Sequence, residues 1–408
     1  MKKDAVLLFS LFAVMLCQAK VIRLPLGLGD NHDAKIYGDT LFVSCKKGIY
    51  ACSLADNYPQ WVAYAFNGME ITSFVKSGQK LLAVYRYFIK NPETNTSREQ
   101  QALLASDDWG ETYRDVTPAD VTGFGTEIGC IIRVLQLPDS PNHLLLAYPS
   151  RDYSFVFGTE GKLKESTDFG SQWTLKDPAF PPTGELAVAT DDPNRFMVYG
   201  LKPNVDCICP YLLETKDYFQ TLTNVAFEVQ GLINDPAFQS IAYNPTDSRQ
   251  LLAATSSGIA KSTDGGVTWQ ILVERDALFY GYWGFSKVLF DSENARTVYA
   301  VNNSYDAGQM NMELYHSLDD GDSWSNVYTA KDNQTTVKDM LMYNGQFVCI
   351  GRNNNVFIID LEGIPASIAV PEQQTVQPGI VYDLGGKTVE KTRRNNVYFH
   401  NGRKVVIK

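Results

Sequence analysis

One eight-residue phrase recurs four times in this chain, and it limits the fold more than any other feature. Ser106-Asp107-Asp108-Trp109-Gly110-Glu111-Thr112-Tyr113 returns as Ser166-Thr167-Asp168-Phe169-Gly170-Ser171-Gln172-Trp173. It returns again as Ser262-Thr263-Asp264-Gly265-Gly266-Val267-Thr268-Trp269 and as Ser317-Leu318-Asp319-Asp320-Gly321-Asp322-Ser323-Trp324. Two looser copies run from Asp56 to Trp61 and from Thr215-Lys216-Asp217-Tyr218-Phe219 to Leu222. The central aspartates are 52, 60, 49, 47 and 55 residues apart, which is the length of one repeated supersecondary unit. The phrase has the chemistry of a tight turn. A short carboxylate accepts backbone N–H bonds across it, and a glycine supplies a positive φ. The closing aromatic packs between neighbouring sheets.

This phrase resembles the Asp-box, or bacterial neuraminidase repeat, of the sialidase superfamily of β-propellers, over about residues 30 to 370. The resemblance implies a box joining the third and fourth strands of each blade and taking no part in catalysis. Asp108, Gly110, Asp168, Gly170, Asp264, Gly266, Asp319 and Gly321 are therefore expected to be structural. Short apolar strands precede the boxes, among them Lys80–Val84, His143–Ala147, Arg195–Tyr199, Gln250–Ala254 and Thr297–Ala300, as an all-β repeat fold requires. After the last box, 338–343, 346–351 and 355–361 make three strands of a blade with no box. A strand over 21–26 could supply the fourth and close the ring, which removes an exposed edge. The expected fold is all-β, a seven-bladed propeller with a short C-terminal β tail, with six or eight blades also compatible with the spacing.

The ends read differently. Lys2 and Lys3 precede an apolar run from Ala5 to Leu16, too short to span a bilayer. Cys17-Gln18-Ala19 then offers small residues for a signal peptidase, so 1–19 reads as a secretory leader; lipidation at Cys17 is the alternative. The propeller is expected over 20–370 and a linker over 371–378. Residues 379–408 form a basic tail with seven Lys/Arg against two acidic residues. It resembles the C-terminal sorting segment of type IX secretion in Tyr382-Asp383-Leu384 and Asn396-Val397-Tyr398, which implies contact with a secretion machinery; a β-hairpin cap is the alternative. A secreted or cell-surface location follows. Six cysteines remain after the leader: Cys45, Cys52, Cys130, Cys207, Cys209 and Cys349. They read as buried thiols with at most one or two bridges. The four histidines are scattered, so no metal and no cofactor are expected. The net charge of −10 argues against nucleic-acid binding, and no other run is apolar enough to be an integral membrane span.

Function is written more faintly. The connection between the second and third strands is tight in blades 1, 5 and 7. It is long in blade 2 (86–100), blade 3 (149–161), blade 4 (201–210) and blade 6 (302–311), and insertions on one face commonly mark the binding face. Arg86, Arg151, Asp152 and Tyr153 in these stretches could orient an anionic ligand, or could be solvated loop tips. Tyr280, Tyr282 and Trp283 lie in an aromatic stretch, 278–285, that could stack on sugar rings or pack between blades. The sialidase resemblance implies an arginine triad, a tyrosine–glutamate pair and an aspartic acid. Only Arg23 in Ile22-Arg23-Leu24-Pro25 falls where an arginine is wanted, and that run also reads as the closing strand. Catalytic residues therefore stay unassigned, and the residues leave open whether the chain is an enzyme. The expected function is recognition of a glycan or a surface protein without catalysis. A glycoside hydrolase of exo-sialidase type, or another carbohydrate-active enzyme, is the alternative.

Overall fold

The computed structural model describes residues 20–25, 30–56, 60–119, 133–137, 140–149, 161–180, 185–203, 208–230, 237–274, 284–291, 294–306, 309–333, 336–351, 355–360, 381–382, 397–400 and 403–406. Seven antiparallel sheets follow one another along the chain. Each begins with an innermost strand: Asn31–Tyr37, Glu70–Ser77, Arg133–Gln136, Glu185–Val188, Phe238–Asn244, Gly284–Phe290 and Val337–Tyr343. The protein is a seven-bladed β-propeller. The seventh blade has three strands of its own, and its outer strand is Lys20–Pro25, paired antiparallel with Asn355–Asp360. Arg23 therefore sits in the closing strand. Blade 5 has a fifth strand that the sequence did not announce: Glu228–Gln230 adds in parallel to the outer edge of Thr268–Glu274.

The apolar runs are unbroken because both faces of every blade are buried. Seven hydrophobic clusters fill the seven junctions between blades. In blade 2, Leu82 and Val84 pack towards blade 3, while Leu81 and Ala83 pack towards blade 1. Successive side chains of a strand point to opposite faces, so two neighbours use one strand at once. Cys45, Cys52 and Cys349 are buried free thiols within these clusters; burial raises the Cys349 thiol to about 12.

The chain divides into two units, Ala19–Leu361 and a second made of Met1–Gln18 with Glu362–Lys408. In the second, Val381–Tyr382, Val397–His400 and Arg403–Val406 form a three-stranded antiparallel sheet. Among the described residues no helix is long and apolar enough to cross a membrane.

Candidate functional site

Antiparallel blades place their second-to-third-strand connections at one end of the ring and their other turns at the opposite end. The repeated phrase forms the turns of that opposite end. In blades 2, 3 and 6 the serine hydroxyl donates to the aspartate Oδ1 at 2.8 Å and accepts the glycine N–H at 2.8 Å. Blade 5 repeats this at 2.9 and 2.8 Å. The aspartate also accepts the N–H four residues on, at 2.9 Å, from Thr112, Gln172, Thr268 and Ser323. The hydroxyl and N–H of Thr112 hold the Asp108 carboxyl below the ordinary range. These carboxylates spend their acceptors on their own turns, which is scaffold chemistry.

The other end carries the longer connections. The long connections there are mostly strands carried outward, not loops. In blade 2, Lys80–Lys90 and Ser97–Ser106 pair over their whole length, with only 91–96 between them. In blade 6, Val298–Asp306 and Gln309–Ser317 do the same, and in blade 4, Phe196–Pro203 pairs with Ile208–Thr215. Blade 3 leaves its strands at Pro149 and resumes at Gly161. The blade 2 arm carries Phe88 and Ile89 exposed to solvent and stacks Tyr85 on Tyr87 at 5.1 Å.

Arg86 lies inside this arm's strand, opposite Glu70 of the innermost strand. The innermost strands start at this same end, because Asn31 pairs with Cys45 just before the tight turn of blade 1. Arg86 Nη2 donates to Glu70 Oε1. His32 Nε2 lies 3.0 Å from the same oxygen, and Lys338 Nζ donates to the His32 carbonyl. Lys46 and Asp30 pair nearby at 2.9 Å. Blades 1, 2 and 7 thus bring two carboxylates, one imidazole, a guanidinium and two ammonium groups to the mouth. Burial, and then the Arg86 charge, keep the His32 imidazole below its ordinary value. Burial alone would raise the Glu70 carboxyl, but the bonds and charges of Arg86 and His32 together outweigh it and the net shift is downward. Arg86 Nε is buried and has no hydrogen-bond partner, although the side chain as a whole is 26% exposed.

Just inside the mouth, one position of each innermost strand forms a polar belt: Asp33, Ser73, Arg133, Glu185, Ser240, Lys287 and Asp339. Neighbouring blades satisfy each other there. Lys287 Nζ is 2.9 Å from Asp339 Oδ1, and Arg133 pairs with Glu185. Asp33 takes Lys35 Nζ at 3.0 Å, the Ser73 hydroxyl at 3.4 Å and the Phe74 N–H at 3.2 Å. The belt is internally compensated, whereas the mouth keeps an uncommitted donor.

Of the residues the sequence singled out as ligand contacts, Arg86 is placed at the mouth. Arg151, Tyr153, Tyr280, Tyr282 and Trp283 lie outside the described residues. Sequence reasoning missed His32, Glu70 and Lys338, which come from three blades. The start of each innermost strand, next to an elaborated arm, was the signal that could have found them.

No family model matches this chain, and no curated protein matches it. Solved structures do. YCF48 from Cyanidioschyzon merolae is 12% identical with a TM-score of 0.55, over 84% of this chain and 99% of that one. A PL25 ulvan lyase solved with -[GlcA(1-4)Rha3S]- bound is 10% identical with a TM-score of 0.51, over 82% of this chain and 95% of that one. The extracellular domain of the BT4673 two-component system of B. thetaiotaomicron is 11% identical with a TM-score of 0.50, over 84% of this chain and 39% of that one. At such identities the likeness is one of fold, and it is the seven-bladed propeller that these proteins share with this chain.

Proposed function

We propose that this chain is an exported, sialidase-like propeller that binds an acidic glycan at the end of the ring bearing the extended arms, without cleaving it. The observation that carries the reading is the mouth itself: the Arg86 guanidinium, part of it exposed to solvent, stands beside the His32–Glu70 pair, and the strands of blades 2, 4 and 6 are carried outward at the same end. A sugar carboxylate or sulfate is the acceptor such a donor suits, since charge-assisted bonds to a guanidinium are strong and directional. A PL25 ulvan lyase of the same fold carries a uronate- and sulfate-bearing sugar, and the BT4673 propeller is an extracellular domain. The leader over 1–19 and the sorting segment over 379–408 belong to the same reading and set a secreted or cell-surface location.

The test is a glycan array spanning uronate-bearing, sulfated, sialylated and neutral polysaccharides. Saturable binding to acidic sugars is expected, with affinity falling about tenfold in Arg86→Gln. It should strengthen as pH falls through the depressed His32 value, where a further cation appears at the mouth, and His32→Asn should flatten that rise. Absence of binding to every acidic glycan, or an Arg86→Gln protein that binds unchanged, overturns the proposal. Release of new reducing ends or unsaturated sugars from a bound glycan would instead establish the enzyme reading.

A further inference from the structure

At the opposite end of the ring, the junction of blades 3 and 4 differs from the others. The turn of blade 4 is Thr215-Lys216-Asp217-Tyr218-Phe219, with phenylalanine where four other turns have glycine. Those glycines sit hard against the preceding blade. A Cβ on Gly110 would lie 2.4 Å from Ala65 Cβ, one on Gly170 3.0 Å from Leu82, one on Gly266 3.0 Å from Met197 and one on Gly321 2.8 Å from Leu252. A whole phenyl ring is housed at 219, so this turn cannot approach blade 3 as the others approach their neighbours. Tyr218 and Phe219 both hold a positive φ, 56° and 61°. Consecutive non-glycine residues are strained there, and such strain persists only where the surroundings impose it.

The same junction contains a cavity of about 510 Å³, within the range of small-molecule sites. Leu137, Val188, Ala189 and Phe196 give it apolar walls, and His143 and Tyr218 give it a polar end. His143 Nε2 lies 2.5 Å from the Tyr218 hydroxyl and 2.7 Å from Glu165 Oε1. Lys176 Nζ lies 3.5 Å from Glu165 Oε2 and 4.3 Å from the centre of the Tyr218 ring. Burial alone would raise the Glu165 carboxyl, but His143 and Tyr218 bonds and Lys176 lower it. The polar end thus pairs its carboxylate with its ammonium and presents no net charge of either sign.

We infer that this cavity is a second binding site, which takes a neutral, largely apolar small molecule of the phenol or cyclic alcohol class. Its ring occupies the space between Leu137, Val188 and Phe196, and its hydroxyl joins the His143–Tyr218 network. Glu165 and Lys176 are committed to each other, so a charged analogue of the same ring would give up its hydration between apolar walls with no counter-charge to replace it. The site lies at the end of the ring away from Arg86, and it does not depend on the glycan reading.

Fluorine NMR on the full chain tests this with 4-fluorophenol as probe, and with 4-fluorobenzoate and 4-fluorobenzylamine as charged analogues. Saturable binding of 4-fluorophenol is expected, at least tenfold tighter than either analogue. Val188→Phe, which fills the cavity from the face turned to blade 3, should abolish it. Tyr218→Phe, which keeps the ring and removes the hydroxyl, should weaken it about tenfold. Both variants should keep the wild-type response on the glycan array. No saturable binding of 4-fluorophenol to the wild-type chain overturns the inference, and so do charged analogues that bind as tightly. If Val188→Phe does not fold, Tyr218→Phe decides, and unchanged affinity in it is equally fatal to the proposal.

Discussion

The turns of blades 4 and 5 make the same hydrogen bonds from different residues. In blade 5, Ser262 and Thr268 bond Asp264, and Gly266 donates to the Ser262 hydroxyl at 2.8 Å. In blade 4, Thr215 and Thr221 bond Asp217, and Phe219 donates to the Thr215 hydroxyl at 2.8 Å. The fourth residue of each turn also donates to its own blade's first turn, Gly265 to Arg249 and Tyr218 to Asn194. What differs is packing. Blade 5 closes with Trp269, buried and bonded through Nε1 to the Gly266 carbonyl at 2.8 Å. Blade 4 instead buries Phe219 against Phe180 and Phe196. The polar half of the motif sets the shape of the turn, and the apolar half sets how closely blades approach. One half can change without the other.

The sharpest way to break this comparison is to carry the blade 4 solution elsewhere. Gly321→Phe should cost more than about 4 kcal/mol and leave little folded protein, because Leu252 already occupies the space. Normal urea unfolding of that variant would show that any junction tolerates the ring. Next in size, Phe219→Ala should lower stability by about 3–5 kcal/mol, since Phe219 is only 3% exposed. A loss below about 1 kcal/mol in urea titration would mean that the ring bears no load. The smallest effect concerns the shared half. The N–H and hydroxyl of Thr221 hold the Asp217 carboxyl below its ordinary value. Burial alone would raise Asp264, but Thr268 bonds take it below as well. With folded values below the unfolded value of about 3.9, both contribute stability that is complete above about pH 4 and is lost as pH falls through the folded values. Asp217→Asn and Asp264→Asn should lower the Tm at pH 6 by similar amounts and flatten its fall below pH 4. Unequal drops would separate the two turns after all.

The turns were legible because their chemistry is local: hydroxyl, carboxylate and glycine all fall within eight residues. The closing strand was legible from a blade one strand short. The arms were misjudged as loops because Tyr85-Arg86-Tyr87-Phe88-Ile89 lacks the apolar continuity of the strands below it. With Phe88 and Ile89 exposed, this part of the hairpin needs no second buried face. The polar belt was invisible for the opposite reason. Asp33, Arg133, Lys287 and Asp339 meet only through closure, and none carries a local signature. His143 was noted only as one of four scattered histidines and as the first residue of a strand. Its meaning depends on Tyr218, 75 positions away, and the phenylalanine at 219 was the sole visible hint.

Closure by Lys20–Pro25 also governs the order of events when the chain folds. Every other blade pairs strands that are close in sequence, so each can form soon after it is made. The last blade must wait until Asn355–Asp360 meets a strand from the other end of the ring. Contacts so distant slow folding. Until they form, the edge of Asn355–Asp360 is open to any other extended chain. The interval before the ring shuts is therefore when this protein is most exposed to misassembly, and a chaperone that shields one strand edge would serve it best.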